Sequence, residues 1–257
     1  MTDSFKEKIK HEVTSALDDA EKVWDEVGEH IFKNAHALFE ARAGVEMPTK
    51  IPGFPFVEDG KPKVADYIAL VLDIRGSTKH LTQAISDKTS NVTQLQRVLY
   101  ETTAINTAGS LIVTKYNGKI TEYLGDGYLA LFKVKSKDDK KAVYNANNSS
   151  KLCIYSTINI INKILKVRYN LPPLMVGIGM AYSSAIVTLV GHGDNLHPKA
   201  IGECVYRASK LSDGNNEVYI DERLRKLWPT SKDGNLRFTS IDIHGGFSSY
   251  KIERNSK

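Results

Sequence analysis

The sequence predicts a mixed α/β domain, arranged as an α+β sandwich with a mostly antiparallel sheet and preceded by a helix. From residue 64 onward, short apolar runs typical of strands alternate with longer amphipathic stretches, in the order β-α-α-β-β-α-β-β-α-β. Turn signals such as Asn117-Gly118 separate neighbouring apolar runs, which is typical of antiparallel hairpins. A chain of 257 residues suits one large domain with a helical appendage.

Residues 1–46 are predicted to form an N-terminal amphipathic helical segment. Ser4 and Glu7 match the spacing of a capping box. Apolar residues then recur at steps of three and four along one stripe, namely Val13, Leu17, Ala20, Trp24, Val27, Ile31, Ala35 and Leu38. Such a stripe packs either on the helix's own domain or in a dimer or regulatory contact, and the pattern leaves both open.

Residues 47–63 are predicted to be a linker or irregular connection. The stretch holds four prolines and two glycines, which disfavour regular helix and strand. A compact catalytic domain is therefore predicted over residues 64–257.

The elements of this domain follow from apolar patterning and turn signals. In chain order they are a strand at 67–74, a helix beginning within 76–86, a helix over 91–109, two strands within 119–134, a helix over 142–169, a strand pair within 174–191, a helix over 203–211, and strands near 217–220, 238–244 and 249–253.

The stretch MVGIGMAYSSAIVTLVG, residues 175–191, carries no formal charge over 17 residues. That length is the short limit for a membrane-spanning helix, which needs about 17–25 residues. Its three glycines and its β-branched second half favour strands instead. The sequence predicts two buried strands joined by a turn at Tyr182-Ser183-Ser184, and no transmembrane segment.

Charge and cysteine usage exclude several functional classes. The net charge is +5, and the densest charged run, KVKSKDDKK at 133–141, mixes both signs, which argues against a nucleic-acid-binding face. Cys153 and Cys204 are the only cysteines and form neither a disulfide framework nor a zinc motif. His192 and His197 are predicted to lie in a polar loop after a strand. With its polar N-terminus, the chain is expected to be cytoplasmic.

Two acids in strand-end positions form the strongest chemical signal. Asp73 ends an apolar strand and precedes a glycine-containing turn and a helix start, an arrangement suited to a metal and a phosphate. Ser77 and Thr78 would either face that phosphate or merely cap the helix. Asp126 lies between two glycines and alone would be an ordinary turn residue. Side by side, the two carboxylates would repel each other unless a cation such as Mg²⁺ lies between them.

Four segments resemble, in order and spacing, the class III nucleotidyl cyclases. They are VLDIRGST (71–78), NGKITEYLGDGYLALF (117–132), MVGIGMAYSSAIVTLVG (175–191) and IGECVYRASKLSD (201–213). The resemblance covers about residues 64–254 and implies a ferredoxin-like catalytic domain. A phosphatase of the haloacid dehalogenase type is excluded, because its second acid would fall on Arg75.

The resemblance also implies a metal site and an assembly. Asp73 and Asp126 would bind two Mg²⁺ or Mn²⁺ ions per active site, assisted by the carbonyl of Ile74. The substrate would be a nucleoside triphosphate, held by Arg75, Gly76, Ser77 and Thr78. Class III sites form at a head-to-tail dimer interface, so a homodimer is expected, with metals on one chain and base-reading and transition-state residues on the other.

The helix over 203–211 departs from the family pattern G-D-x-V-N-x-A-x-R-L. Tyr206 replaces the usual Asn and Lys210 replaces the usual transition-state Arg, which keeps the charge but loses the bidentate fork. Arg207 is predicted to substitute in part. His244 falls at the position of a phosphate-contacting lysine. These changes fit either a degenerate cyclase or a site adapted to another nucleotide.

The two base-reading positions favour a pyrimidine. Adenylate cyclases carry Lys and guanylate cyclases Glu four residues before the second metal Asp, and this chain has Glu122. Three residues before Gly202, where adenylate cyclases carry Asp or Thr and guanylate cyclases Cys, it has Lys199. An acceptor beside a donor suits uracil and also serves cytosine. Guanine fits Glu122, but the Cys that guanylate cyclases use is missing from this chain, and adenine fits worst. Tyr206, bulkier than Asn, would also shrink the pocket.

These features resemble the bacterial pyrimidine cyclases of Pycsar antiphage defence. The resemblance implies conversion of UTP to 3′,5′-cyclic UMP, a second messenger that acts on a separate effector protein. Cytidylate and guanylate cyclase activity remain alternatives, as does a catalytically degenerate signalling module.

Overall fold

The computed structural model describes residues 45–82, 94–136, 139–230, 234–242 and 246–254. The predicted N-terminal helix thus lies almost wholly outside the described residues. Within them, the strands are β1 (Glu46–Pro48), β2 (Phe56–Glu58), β3 (Lys63–Ile74), β4 (Lys119–Tyr123), β5 (Gly127–Val134), β6 (Val176–Val190), β7 (His197–Ile201), β8 (Glu217–Asp221), β9 (Leu236–Ile241) and β10 (Ser249–Arg254). The helices are α1 (Ser77–Thr82), α2 (Gln94–Lys115), α3 (Lys140–Leu152), α4 (Ile158–Tyr169), α5 (Glu203–Leu211) and α6 (Glu222–Leu227), and a π-helical turn, Cys153–Thr157, joins α3 to α4.

The main sheet confirms the predicted α+β class with mostly antiparallel pairing. Its strand order is β4-β5-β3-β6-β8-β10-β9, and β7 pairs with β6 beside this path. Neighbouring strands run antiparallel except for β6 and β8, which are parallel. The class predicted from alternating patterns is therefore observed.

Helices and loops cover both faces of the central strand β3. Ile68, Leu70 and Leu72 join the cluster that includes α2, α3 and α4, whereas Tyr67 and Val71 join a second cluster with α5. Because successive side chains of a strand point to opposite faces, a strand covered on both sides is apolar throughout. This explains why 67–72 is a continuous apolar run.

The proline-rich stretch 47–63 is packed against the domain. Its β1 and β2 strands pair antiparallel, and Ile51 and Val57 are buried in the second cluster. The hydroxyl of Tyr67 donates a hydrogen bond to the carbonyl of Pro52 at 2.9 Å. The stretch therefore contains two short paired strands, and apolar side chains between its prolines hold it against the domain.

The prediction of two strands within 174–191 is wrong, because this stretch forms the single 15-residue strand β6. The Tyr-Ser-Ser sequence does not form a turn. The hydroxyls of Tyr182 and Ser184 donate to the two carboxylate oxygens of Asp66 on β3, at 3.1 and 2.6 Å. Ser183 faces the other way and accepts the backbone N–H of Cys204 at 2.8 Å. These polar side chains are satisfied inside a continuous strand.

Four short elements were absent from the prediction, namely β1, β2, β7 and α6. His197 begins strand β7, so the predicted polar loop is shorter than expected. Asp221 caps α6 by accepting the backbone N–H of Leu224 at 2.9 Å. Among the described helices, none has an apolar stretch long enough to cross a bilayer.

The two glycines that flank Asp126 have different roles, which predicts different mutational costs. A Cβ on Gly127 would lie 1.8 Å from the backbone carbonyl oxygen of Leu72, whereas a Cβ on Gly125 would meet open space. We expect Gly127→Ala to lower the free energy of unfolding by about 3 kcal/mol, because backbone cannot move aside without breaking the sheet. Gly125→Ala, the matched control, should be near neutral. Denaturant titration of both variants measures the difference. Equal losses of unfolding free energy in the two variants would contradict the different roles of the two glycines.

Candidate active site

The two predicted acids lie side by side at the ends of neighbouring strands. Asp73 of β3 pairs in register with Gly127 of β5, so Asp126 immediately precedes the paired residue. The backbone N–H of Ile74 donates to the carbonyl of Asp126 at 3.0 Å, and the hydroxyl of Ser77 donates to the Asp126 carboxylate at 2.5 Å. Antiparallel pairing and α1 thus fix both carboxylates at the same end of the two neighbouring strands.

A cleft of about 750 Å³ opens beside Asp73. It is lined by Asp73, Arg75, Ser209, Lys210, Ser212, Asp213, Tyr219, Ile241 and Asp242. Gly177 of β6, the register partner of Asp73, lets the end of α5 approach, because a Cβ there would lie 2.0 Å from the Ser212 carbonyl oxygen. The glycine therefore places the C-terminal end of α5 against the acid.

The predicted base-reading residues meet in the folded chain. Lys199 Nζ lies 2.7 Å from a carboxylate oxygen of Glu122, and both side chains are about one third exposed, at 39% and 32%. Glu122 follows a β-bulge on β4, where the register with β5 shifts between Ile120 and Glu122. The pair offers a carboxylate acceptor and an ammonium donor together at the surface.

Solved structures share this fold. The adenylyl cyclase CyaB from P. aeruginosa matches with a TM-score of 0.61 and 18% identity, over 77% of this chain and 98% of that one. The guanylyl cyclase Cya2 matches with a TM-score of 0.58 and 16% identity, over 74% and 91%. The domain has the class III nucleotidyl cyclase fold.

A curated protein relative is similar to this chain in sequence. It is named cytidylate cyclase, from Staphylococcus aureus, and is 27% identical over 193 residues, which is 73% of this chain. The chain spans 40% of that relative's length. A solved guanylate cyclase domain from Catenaria anguillulae, in complex with GTP, matches with a TM-score of 0.54 and 14% identity over 76% of this chain and 100% of that one. No protein-family profile matches.

The donor set beside the cleft fits a divalent metal. Burial and the neighbouring carboxylate of Asp126 raise the pKa of Asp73 to about 6, against an opposing effect of Arg75. Repulsion between two adjacent carboxylates is what a cation would relieve. In the described part of the chain, no three His, Cys, Asp or Glu side chains converge on one point. Mg²⁺ needs only one or two carboxylates when substrate phosphates supply further oxygens.

The raised pKa of Asp73 predicts a pH-dependent stability. Its folded pKa of about 6 exceeds the ordinary value of 3.8, so this group weakens the metal-free fold as the pH rises through that interval. We expect Asp73→Asn to raise the free energy of unfolding at pH 7.5 by about 1 to 2 kcal/mol, with the gain vanishing near pH 4. Thermal unfolding in EDTA at both pH values tests this. Asp194→Asn, at an exposed site, is the control. A gain in the free energy of unfolding of Asp73→Asn that is the same at both pH values would contradict the raised pKa of Asp73.

The two cationic residues predicted on α5, Lys210 and Arg207, have different surroundings in the structure. Lys210 lines the cleft, with Nζ 5.8 Å from the ring centre of Tyr206, and Tyr206 is 59% exposed. Arg207 instead contacts Glu222 at 2.7 Å, Glu203 at 3.2 Å and the fully buried Asp221 at 3.3 Å. These carboxylates hold Arg207 inside its own domain, so the structure does not bring it to the cleft.

The remaining predicted residues surround the acids. Gly76 adopts a φ of +72° between Arg75 and the start of α1. The Ser77 hydroxyl is hydrogen-bonded to Asp126, which supports a role in positioning that carboxylate. Thr78 lies in the same first turn. His244 falls outside the described residues.

Asp213 is a residue of the cleft that sequence reasoning missed. It follows α5 and precedes Gly214, a pattern typical of an ordinary turn. Its carboxylate nevertheless accepts a hydrogen bond from the Arg75 guanidinium, 138 residues away along the chain. Only the packing of α5 on Gly177 reveals the contact.

Proposed function

We propose that the protein is a class III pyrimidine nucleotide cyclase that converts UTP to 3′,5′-cyclic UMP and pyrophosphate. The observation that carries this proposal is the contact between Glu122 and Lys199 at 2.7 Å in a domain with the cyclase fold. A carboxylate accepts and an ammonium donates, so together they match a base edge with one donor beside one acceptor. The adjacent Asp73 and Asp126 supply the acids for a metal site.

The edge of uracil fits this pair, with N3–H donating to Glu122 and O4 accepting from Lys199. Cytosine presents the reverse order, with its 4-amino group as donor and N3 as acceptor. Cytidylate cyclase activity is therefore the second candidate, and it is favoured by the name of the S. aureus relative. Guanine also offers donors to Glu122, which keeps guanylate cyclase activity as a further alternative.

The proposed chemistry is an intramolecular phosphoryl transfer. The ribose O3′ attacks the α-phosphorus, the bond from that phosphorus to the β-phosphate bridging oxygen breaks, and the 3′-OH proton passes to solvent. Asp73, Asp126 and the Ile74 carbonyl would hold two Mg²⁺ or Mn²⁺ ions. When bound, these ions lower the pKa of the 3′-OH and neutralise triphosphate charge.

Residues of the chain would orient and stabilise the substrate around that centre. The backbone of residues 75–78 and the Arg75 guanidinium would face the phosphates. Lys210 of the partner subunit would place its ammonium against the α-phosphate, with His244 assisting as a further phosphate contact. Tyr206, which projects from the same helix surface as Lys210, would narrow the base and ribose site toward a pyrimidine.

A homodimer is part of the proposal, because the metal residues and base-reading residues would serve different sites. Large apolar side chains are exposed close to both sets: Tyr123, Leu124, Ile201 and Tyr206. An apolar surface of this kind favours a protein partner. A second copy arranged head-to-tail would create two equivalent sites.

The cellular role follows from the resemblance and is part of the same proposal. The product would act as a second messenger in antiphage defence, made in the cytoplasm and sensed by a separate effector protein. Infection-dependent accumulation of a cyclic pyrimidine nucleotide would support this role, and its absence in cells that resist phage would contradict it.

Substitutions of Lys210 and Arg207 should affect different properties, catalysis for Lys210 and stability for Arg207. Lys210→Ala should lower kcat by about 10²-fold without changing the unfolding temperature, because its ammonium serves charge stabilisation. Arg207→Ala should lower the free energy of unfolding by about 3 kcal/mol, because it leaves the buried Asp221 without its cation. Initial rates and thermal unfolding of both variants test this. A stable, inactive Arg207→Ala variant would return Arg207 to the active site.

Mixing two inactive variants tests the shared site. Asp126→Asn removes a metal ligand and Lys210→Ala removes the proposed partner residue. In a mixed dimer one site carries both defects and the other carries none, so about one quarter of wild-type activity should return. Subunit exchange is verified first with tagged chains. No recovery after verified exchange would place both residues in the same chain's site.

A catalytically degenerate module is the alternative from another class, motivated by Tyr206 and Lys210. To distinguish the two, the protein is incubated separately with each of the four ribonucleoside triphosphates and Mn²⁺, and the products are identified. Binding without turnover of any nucleotide would support the degenerate module. A cyclic pyrimidine nucleotide as the main product supports the proposal.

A further inference from the structure

The Arg75 guanidinium lies between two carboxylates. Its Nη1 is 3.2 Å from Oδ2 of Asp73, and its Nη2 donates to Oδ1 of Asp213. The Arg75 backbone N–H donates to the carbonyl of Met175 at 2.8 Å, which anchors the residue at the mouth of the cleft. One cation is therefore shared between a proposed metal ligand and an acid with no assigned role.

This sharing matters because Arg75 competes with a metal for Asp73. A charge-assisted hydrogen bond occupies one of the two Asp73 oxygens. An arginine cannot lose its proton to give way, so its guanidinium must move when a metal takes that oxygen. The Asp213 carboxylate already binds the other end of the guanidinium and can receive it.

Position and exposure suit Asp213 to this task. Its side chain is 72% exposed, whereas those of Arg75 and Asp73 are 25% and 27% exposed. An exposed carboxylate is well screened and acts mainly on a group that it touches. Asp213 is fixed at this point because the end of α5 packs on Gly177, the register partner of Asp73.

We propose that Asp213 is a positioning residue that draws the Arg75 guanidinium off the Asp73 carboxylate when a metal binds, and so sets the metal affinity of the site. The inference rests on the proposed function, because it takes Asp73 as a metal ligand. Asp213 itself does not touch the metal. It acts through Arg75, so its effect must disappear when Arg75 is absent.

A double-mutant cycle on metal binding tests this without turnover. Mn²⁺ dissociation constants are measured by electron paramagnetic resonance at 0.15 M salt, without nucleotide, for wild type, Asp213→Asn, Arg75→Gln and the double variant. We expect Asp213→Asn to weaken Mn²⁺ binding about five-fold and Arg75→Gln to strengthen it by a similar factor. The double variant should bind as Arg75→Gln alone.

Two controls separate the failures. Asp242→Asn removes another acid of the same cleft and should leave the dissociation constant unchanged. Asp73→Asn should abolish binding. If Asp213→Asn weakens Mn²⁺ binding equally with and without Arg75, Asp213 is a direct metal ligand. If Asp242→Asn weakens binding as much as Asp213→Asn, Asp213 acts only through its general negative charge. Either result would overturn this inference and leave the proposed metal site standing. Wild type that binds no Mn²⁺ without nucleotide would overturn this inference, and Asp73→Asn that binds normally would overturn the proposed metal site and this inference with it.

Discussion

Replacing Asp126 with Asn is expected to lower nucleotide turnover by about 10³-fold or more, because a lost metal ligand removes several kcal/mol of transition-state stabilisation. The amide oxygen of Asn can still accept the hydrogen bond from Ser77, so the turn should keep its shape. Initial rates of cyclic product formation with Mn²⁺ measure the loss. Thermal unfolding confirms that the fold survives.

Ser77→Ala is the matched control for this prediction. It removes the hydrogen bond to Asp126 but keeps the carboxylate, so turnover should fall by only about ten-fold. Asp126→Asn that retains more than a tenth of wild-type turnover would contradict the two-carboxylate metal site. Equal losses in the two variants would point to loop geometry instead of metal ligation.

Exchanging Glu122 and Lys199 is expected to reverse the preference between UTP and CTP. The double variant Glu122→Lys, Lys199→Glu keeps the ion pair but swaps the positions of acceptor and donor. Uracil and cytosine present opposite donor and acceptor orders along the same edge, so the favoured base should change. Ratios of kcat/KM for UTP and CTP measure the reversal.

A single variant, Glu122→Ala, completes this experiment. Glu122→Ala should lower kcat/KM for the preferred pyrimidine by about 10²-fold, because Lys199 and the base donor both lose a partner. A double variant with the wild-type preference and undiminished kcat/KM would show that the pair does not contact the base.

The adjacency of Asp73 and Asp126 was predictable because each acid belongs to a local pattern. Asp73 ends a strand before a glycine turn, and Asp126 lies at a hairpin tip, so both motifs are visible in short windows. Their adjacency follows once β3 and β5 pair antiparallel with Asp73 opposite Gly127. The sequence does not show that Gly127 alone, and not Gly125, is required by close backbone contact.

The contact between Glu122 and Lys199 could be predicted only through the family resemblance. Glu122 lies on β4 and Lys199 on β7, which are joined through β5, β3 and β6. In a flat sheet, four strand spacings would separate them by about 19 Å across the strands. They would also be separated along the strands, because Glu122 is level with Gly179 of β6 and Lys199 is level with Thr188. The observed distance of 2.7 Å requires a strongly curled sheet. Local patterning carries no information about that curvature.

The wrong strand break within β6 and the ion pairs of Arg207 have one physical origin. In both cases a polar side chain finds its partner on another element of the fold. Tyr182 and Ser184 are paired by Asp66, more than 110 residues earlier, at separations of 116 and 118. Arg207 is paired by Asp221 and Glu222. Sequence shows the polar group, whereas only the fold shows what satisfies it.

The most direct test of the central claim is a competition among all four substrates. Equimolar ATP, GTP, CTP and UTP are incubated with the protein and Mn²⁺, and the cyclic products and pyrophosphate are quantified by mass spectrometry. The account predicts a cyclic pyrimidine nucleotide, with cyclic UMP first, formed one-for-one with pyrophosphate and absent with Asp126→Asn. Cyclic AMP or cyclic GMP as the sole product, or a product that persists with Asp126→Asn, would contradict it.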